Sequence, residues 1–207
     1  MSLPLENGEG KMQALVERMR QSSVLRTREI EGLGISREQL GRLHRRGVVQ
    51  RVSRGLYSLP DGVASTNHTL AEAAKRVPHG VVCLLSALRF HGFTTQAPSE
   101  AWLAIDVKAR QPAEAELPLR IVRFSGDALA AGIEKHEVDG VAVRVYSPGK
   151  TVADCFKFRN KIGLDVALEA LREGWRERRF SMDELWRYAK VCRVANVMRP
   201  YLEALSL

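Results

Sequence analysis

Residues 36–59 read SREQLGRLHRRGVVQRVSRGLYSL, and this stretch decides the fold of the amino-terminal part of the chain. It opens with a capping box, because the Ser36 hydroxyl can accept from the backbone amide of Gln39 while the Gln39 side chain reaches back to the cap. A helix is therefore predicted to begin after Ser36. Gly47, which readily adopts the positive φ needed just beyond a helix, is predicted to end it.

This helix has an apolar face and a basic face. Leu40 and Leu43 share a face with the cap, and the opposite face is rich in arginine. The guanidinium fork can bond bidentately to guanine or to phosphate, so the basic face predicts contact with DNA. The residues predicted to bind DNA, on this helix and in the segment after it, are Arg37, Gln39, Arg42, Arg45, Arg46, Arg51 and Arg54.

Two short runs of β-favouring residues, 48–52 and 56–59, follow the helix. Ser53, Arg54 and Gly55 connect them, which predicts a β-hairpin with these three residues at its tip. A hairpin directly after a recognition helix is a wing. Its tip is expected to meet the DNA backbone or to enter the minor groove.

Two further helices are predicted before Ser36. Residues 11–20 place apolar side chains at helical spacing, and residues 28–33 form a short helix that Thr27 can cap and Gly34 can end. Helix, short helix, tight turn and third helix is the order of a helix-turn-helix. We expect this winged module to occupy residues 1–62.

The positive charge of the chain is concentrated in the same segment. The formal net charge is +8, and residues 11–60 hold eleven cations against four glutamates, an excess of seven. Such a basic module favours nucleic acid as the partner. Two alternatives stay open: a solvated basic face without function, and an RNA-binding or ribosome-associated winged helix, although of the aromatic residues that stack on unpaired bases only Tyr57 is present there.

Residues 63–207 predict a mixed α/β domain with a helical tail. Asp139 and Gly140 are typical of a type I′ hairpin turn, and Pro148 suits the first position of a helix. Helices are expected over 65–77 and 81–91, strands over 102–107, 119–124, 133–138 and 141–146, then a helix from 148 and three more after it. The predicted fold class is therefore α+β, with a winged helix-turn-helix followed by this mixed domain.

The composition excludes several classes of protein. The chain has 207 residues, 45% hydrophobic and 27% charged, as globular proteins do, and neither a membrane span nor a signal peptide is predicted. Cys83, Cys155 and Cys192 have the spacing of neither a disulfide framework nor a metal site. We expect a cytoplasmic protein that binds no metal and no other cofactor, with Cys83 and Cys155 buried.

No motif for phosphate loops, dinucleotides or hydrolysis occurs, so an enzyme is not expected. One constellation keeps an alternative open. Asp106 and Lys108 lie at the end of a predicted strand and Glu100 precedes Asp106 by six residues. Acids beside a lysine at a strand end can hold a divalent ion and activate water. The alternative function is therefore a metal-dependent nuclease with a DNA-binding arm.

Three segments resemble a known family. GVVQRVSRGLYSLP (47–60), LLSALRFHGFTTQAP (84–98) and VRVYSPGKTVADCFKFRNKIGLDVALEALREG (143–174) are similar to the AbiEi family of antitoxins and transcriptional regulators from bacterial type IV toxin–antitoxin systems. The resemblance runs from Met12 to Trp175. The tail after Arg176 has no counterpart in it.

The resemblance implies a repressor that binds inverted repeats of double-stranded DNA in its own promoter, through residues 37–46 and 51–57. It also implies a carboxyl-terminal domain that is not an enzyme and that counteracts a nucleotidyltransferase toxin encoded nearby, with the segments 94–96 and 148–154 as candidates for that role. The oligomeric state is open between a stable dimer and monomers, or a weak dimer, that bind two half-sites cooperatively.

Overall fold

The computed structural model describes residues 6–62, 65–95, 98–110, 112 and 117–205. The chain divides into two compact units, the first comprising residues 1–78, 112–117 and 137–143 and the second the remainder. The predicted division after residue 62 falls beside residues 63 and 64, which lie outside the described part, and it stays a prediction. Among the described residues, no helix combines the length and the apolar character that crossing a membrane requires.

Among its described residues, the first unit combines four helices with a three-stranded antiparallel sheet of order β1-β3-β2. Its elements are α1 (Glu6–Gln21), β1 (Leu25–Arg26), α2 (Thr27–Gly32), α3 (Arg37–Arg45), β2 (Gln50–Ser53), β3 (Leu56–Ser58) and α4 (His68–Arg76). The strand β1 was not predicted, because two residues carry no pattern of their own. It exists through its pairing with Leu56 and Tyr57 on β3.

The predicted start and end of α3 are confirmed. The Ser36 hydroxyl accepts from the Gln39 amide at 3.2 Å, and Gln39 Oε1 accepts from the Ser36 amide at 2.9 Å. Gly34 and Gly47 have φ of +79° and +70°, the left-handed conformation expected where a helix stops and the chain turns.

The predicted cap of the second helix is wrong. Thr27 is the first residue of α2, not its cap, and the carboxylate of Glu29 instead accepts from the Arg26 amide at 2.7 Å. Thr27 has another partner, since its amide donates to the Gly55 carbonyl at 3.0 Å. The start of α2 is thereby fixed to the turn of the hairpin.

The core of the first unit is formed where these elements meet. Leu15 and Met19 from α1, Ile30 from α2, and Leu40 and Leu43 from α3 are all buried in one cluster. Each comes from the apolar stripe of its helix, so the charged faces of the same helices are left to solvent.

Among the described residues, the second unit contains most of a five-stranded sheet of order β6-β5-β4-β8-β7, and residues 137–143 of β7 and β8 belong to the first unit. The remaining elements are β4 (Val81–Val82), α5 (Leu84–His91), β5 (Ala101–Asp106), β6 (Leu119–Phe124), α6 (Asp127–Ala130), β7 (Ile133–Val138), β8 (Val141–Tyr146), α7 (Pro148–Lys157), α8 (Arg159–Ile162), α9 (Leu164–Arg176), α10 (Met182–Val191) and α11 (Ala195–Leu205). The four predicted strands and the helices of the tail are confirmed. Asp139 and Gly140 both have positive φ, as the predicted turn requires.

The predicted helix over 81–91 is wrong in its first part. Val81 and Val82 form β4, which pairs antiparallel with β5 and parallel with β8, and the helix begins only at Leu84. A short apolar run buried on both sides has the same pattern as a buried helix, so periodicity could not separate the two.

The interior of the second unit centres on α7. Its residues 149–156 are all buried, and it packs against α5, α9 and α10. Cys83, Cys155 and Cys192 are buried thiols in this unit, which confirms the expectation for the first two.

Candidate DNA-binding surface

The helix α3 separates its apolar and basic side chains as its sequence predicts. Leu40 and Leu43 are 2% and 8% exposed. The predicted DNA-binding residues of this segment are all exposed, namely Arg37, Gln39, Arg42, Arg45 and Arg46. The structure therefore brings five of the seven predicted residues together on the outer side of one helix.

Two of these arginines are paired with carboxylates. Arg37 Nε lies 2.8 Å from Glu31 Oε1, and Arg42 forms an ion pair with Glu38 one turn before it. Exposed pairs of this kind contribute only about 0.2–1 kcal/mol, so a DNA phosphate can replace the carboxylate at small cost. Both arginines remain available as ligands for an anion.

Arg45 and Arg46 have no such partner, since neither takes part in an ion pair within the part of the chain that the structure describes. Arg46 caps the end of α3, and its amide donates to the Arg42 carbonyl. The helix dipole stabilises cations at the carboxyl end of a helix, so the positive charges of Arg45 and Arg46 are favoured at this position.

Gln39 has a structural task beside any role in binding. Because its Oε1 accepts from the Ser36 amide, the cap fixes the orientation of the side chain. With the side chain held in this way, the two donors of its Nε2 group remain for a base or a phosphate.

The two predicted DNA-binding residues of the hairpin, Arg51 and Arg54, lie in different parts of it. Arg54 is exposed in the turn, and Arg51 is exposed on β2, where its Nε donates to the Ser53 carbonyl at 3.4 Å. Ser53 is paired with Leu56 and is 1% exposed. The tip is therefore Arg54 and Gly55 alone, and the prediction that Ser53 belongs to it is wrong because Ser53 is part of the sheet.

The basic residues at the start of α2 are not among those that the sequence pattern predicts to bind DNA. Arg26 and Arg28 flank Thr27, whose bond to Gly55 brings them to the hairpin turn that carries Arg54. Both belong to the charge excess of residues 11–60, which was the available signal. Their place beside the hairpin depends on a contact distant in sequence.

The residues of the alternative nuclease site are not brought together. Glu100 precedes the first residue of β5 and Asp106 is the last, so an extended strand of about 20 Å separates them. Asp106 Oδ1 accepts from the Lys108 amide at 2.7 Å and so orders the turn after the strand. Across residues 6–62, 65–95, 98–110, 112 and 117–205, no three acidic, histidine or cysteine side chains form a group that could hold a metal ion.

The two segments that the resemblance assigns to antitoxin activity differ in accessibility. Thr95 is exposed and its carbonyl accepts from Arg89 Nη1 at 2.8 Å, while Gln96 lies outside the described residues. Residues 149–154 are buried inside the second unit, and Pro148 is half-buried.

Comparison with known proteins bears on the amino-terminal part. No curated protein matches the chain. Residues 13–60, from α1 to the end of the hairpin, match the family model described as "Transcriptional regulator, AbiEi antitoxin", which confirms the resemblance over this segment.

Proposed function

We propose that the protein is a winged-helix repressor that binds DNA through α3 and the β2–β3 hairpin. The observation that carries the proposal is the outward set of arginines on α3, opposite the buried Leu40 and Leu43. A helix with its apolar face packed and its basic face exposed can enter a major groove, where arginine bonds to guanine O6 and N7.

The order of elements supports a winged helix. A strand between the first two helices, β1, pairs with the second strand of the hairpin and gives the sheet order β1-β3-β2. This pairing anchors the hairpin to the helical core, so that its turn with Arg54 extends from the same unit as α3. The hairpin then acts as the wing and α3 as the recognition helix.

The test is binding to the promoter of the protein's own gene by gel shift. The double variant Arg42→Ala/Arg45→Ala is expected to lose the shift at moderate salt, since removing a bidentate bond to a base costs about 1–3 kcal/mol. Its thermal transition is expected to stay in place because both side chains are exposed.

The matched control is Arg18→Ala/Arg20→Ala on α1, which removes the same charge from two exposed positions. It is expected to retain the promoter shift. A shift by the α3 double variant equal to that of the control contradicts the proposal.

We further propose that the second unit acts as an antitoxin against a nucleotidyltransferase encoded by a neighbouring gene, without chemistry of its own. The family match and the resemblance of residues 84–98 and 143–174 support this role. Co-expression with the neighbouring toxin gene tests it. Growth is expected to recover with the wild type and also with Arg42→Ala/Arg45→Ala, because the activity lies outside α3; failure of the wild type to restore growth contradicts it.

A further inference from the structure

The first unit contains an open cavity of about 530 Å³ with an excess of positive charge. Its lining combines residues from the start of α2, the start of α3, the hairpin turn and the end of α4. The cations that line it are Arg26, Arg28, Arg37, Arg54, Lys75 and Arg76.

Carboxylates neutralise only part of this charge. Glu31 is paired with Arg37, and Glu29 Oε1 lies 2.6 Å from Lys75 Nζ. Arg28 and Arg54 take part in no ion pair with any residue that the structure describes, and both are exposed. The cavity therefore keeps a surplus of positive charge.

The crowding of these cations has an energetic cost. Burial, and after it the charge of the neighbouring Arg28, lower the pKa of Arg26. Arg26 also donates from Nη2 to the Lys75 carbonyl, which fixes its guanidinium at the wall of the cavity. Cations held together in a concave wall focus the electrostatic potential and are stabilised when an anion binds between them.

Arginine selects the kind of anion. Guanidinium groups match the geometry of phosphate oxygens through two parallel bonds, and five of the six cations are arginines. Two of them also belong to the proposed DNA-binding surface: Arg37 lies in the first turn of α3, and Arg54 in the hairpin turn. The cavity is therefore continuous with that surface.

We propose that this cavity binds a phosphate of the DNA backbone, and that DNA contact thereby extends from α3 and the hairpin to Arg28 on α2. The inference rests on the proposed DNA-binding function. It adds a contact that positions the duplex without reading its sequence, because phosphates are the same at every base pair.

The test is the salt dependence of binding to two labelled duplexes, the promoter and an unrelated sequence, measured by fluorescence anisotropy. Arg28→Gln is expected to weaken binding to both duplexes by the same factor and to reduce the slope of log affinity against log salt by about 0.9, the value of one phosphate contact. Arg28→Lys is expected to restore the slope. Arg18→Gln is the matched control, since it removes one exposed charge from α1, and it is expected to leave the slope unchanged.

The outcomes separate this inference from the proposed function. If Arg28→Gln keeps the wild-type slope while Arg42→Ala/Arg45→Ala loses binding, the phosphate site is wrong and the DNA-binding function stands. If the wild type binds neither duplex, both the phosphate site and the DNA-binding function are wrong. In that case, stabilisation of the wild type but not of Arg28→Gln by inorganic pyrophosphate in a thermal shift assay would assign the cavity to a free phosphate compound instead of DNA.

Discussion

Lys150 and Asp154 form an ion pair in the interior of the second unit, with both side chains fully buried. Lys150 Nζ donates to Asp154 Oδ1 and Oδ2 at 2.7 and 2.6 Å, one turn apart on α7. The Cys192 thiol donates to Asp154 Oδ1 at 3.2 Å, and Lys150 Nζ lies 4.0 Å from the centre of the Tyr146 ring. Burial raises the pKa of Asp154, whereas the lysine and the thiol favour its charged form.

Breaking this pair on one side is expected to destabilise the protein strongly. Asp154→Ala leaves the Lys150 ammonium in the interior without its counter-ion, which costs about 3–5 kcal/mol of unfolding free energy. The double variant Lys150→Met/Asp154→Leu removes both charges and is expected to cost less than Asp154→Ala alone. Urea denaturation monitored by circular dichroism measures these differences.

The control for this pair is Lys190→Met, which removes an exposed lysine from α10 and is expected to change the unfolding free energy by less than about 0.5 kcal/mol. A loss in Asp154→Ala no larger than that of the control would show that the buried pair does not carry the stability assigned to it.

The three thiols are expected to be inert in the folded protein. Burial raises the pKa of Cys192 to about 12 and raises the pKa values of Cys83 and Cys155 as well, so the reactive thiolate is scarce and shielded from reagents. A disulfide reagent such as Ellman's is expected to release colour only after denaturant is added, from three thiols per chain. Ser125→Cys, at an exposed position, supplies one fast thiol as a positive control; fast reaction of the wild type would contradict the prediction.

His68 is expected to make the stability of the first unit depend on pH. Its Nε2 lies 3.2 Å from Glu72 and its Nδ1 2.9 Å from Asp139, so both ring nitrogens can donate only in the protonated form. The bond to Glu72, opposed by burial and supported by Asp139, raises the pKa of His68. For Asp139, burial opposes ionisation, but the hydrogen bonds from His68 and Ser65 prevail and lower its pKa.

The direction of the pH effect follows from these shifts. The His68 contribution is complete below its unfolded pKa of about 6.5 and is lost as pH rises through the higher folded value. The Asp139 contribution is complete above its unfolded value of about 3.9 and is lost as pH falls. The stability lost on His68→Gln is therefore expected to be larger at pH 6 than at pH 8.

Thermal unfolding of the wild type and His68→Gln at both pH values measures this difference. Burial lowers the pKa of His91, which gives the stability a pH dependence of opposite sign. His91 is present in both the wild type and His68→Gln, so its contribution cancels in the difference between them. Equal losses at pH 6 and pH 8 would exclude His68 as the titrating group.

The parts of the fold that the sequence could predict are those specified by residues close to one another in the chain. Ser36 and Gln39 form their capping box three residues apart, and the outward arginines of α3 follow from helical spacing. In contrast, β4 depends on strands that lie far along the chain, and two valines do not encode that pairing.

In the candidate DNA-binding surface, too, only features set by neighbouring residues could be predicted from the sequence. The α3 face could be predicted, whereas the cavity beside it needs Lys75 at Glu29 and Thr27 at Gly55, two contacts between distant residues. Closeness in sequence also gave a wrong indication for the alternative nuclease site. Glu100 and Asp106 lie only six residues apart, but at opposite ends of an extended strand.

The carboxylate of Glu38 is expected to limit DNA affinity, because it faces solvent on α3 and pairs with Arg42. DNA must replace this pair and approach a negative charge. Glu38→Gln removes both obstacles, and an exposed pair one turn apart is worth about 0.3–0.5 kcal/mol, so binding is expected to tighten by at least about twofold. Fluorescence anisotropy with the promoter duplex measures the change.

The matched control for Glu38→Gln is Glu17→Gln on α1, which removes the same charge from an exposed position outside α3. Glu38 also lies in the first turn of its helix, where an acid is favoured by the dipole, so its loss is expected to lower stability by about 0.3–1 kcal/mol. Affinity and stability are thus expected to change in opposite directions at this one residue. Weaker binding by Glu38→Gln than by Glu17→Gln would mean that the α3 face does not approach the phosphates.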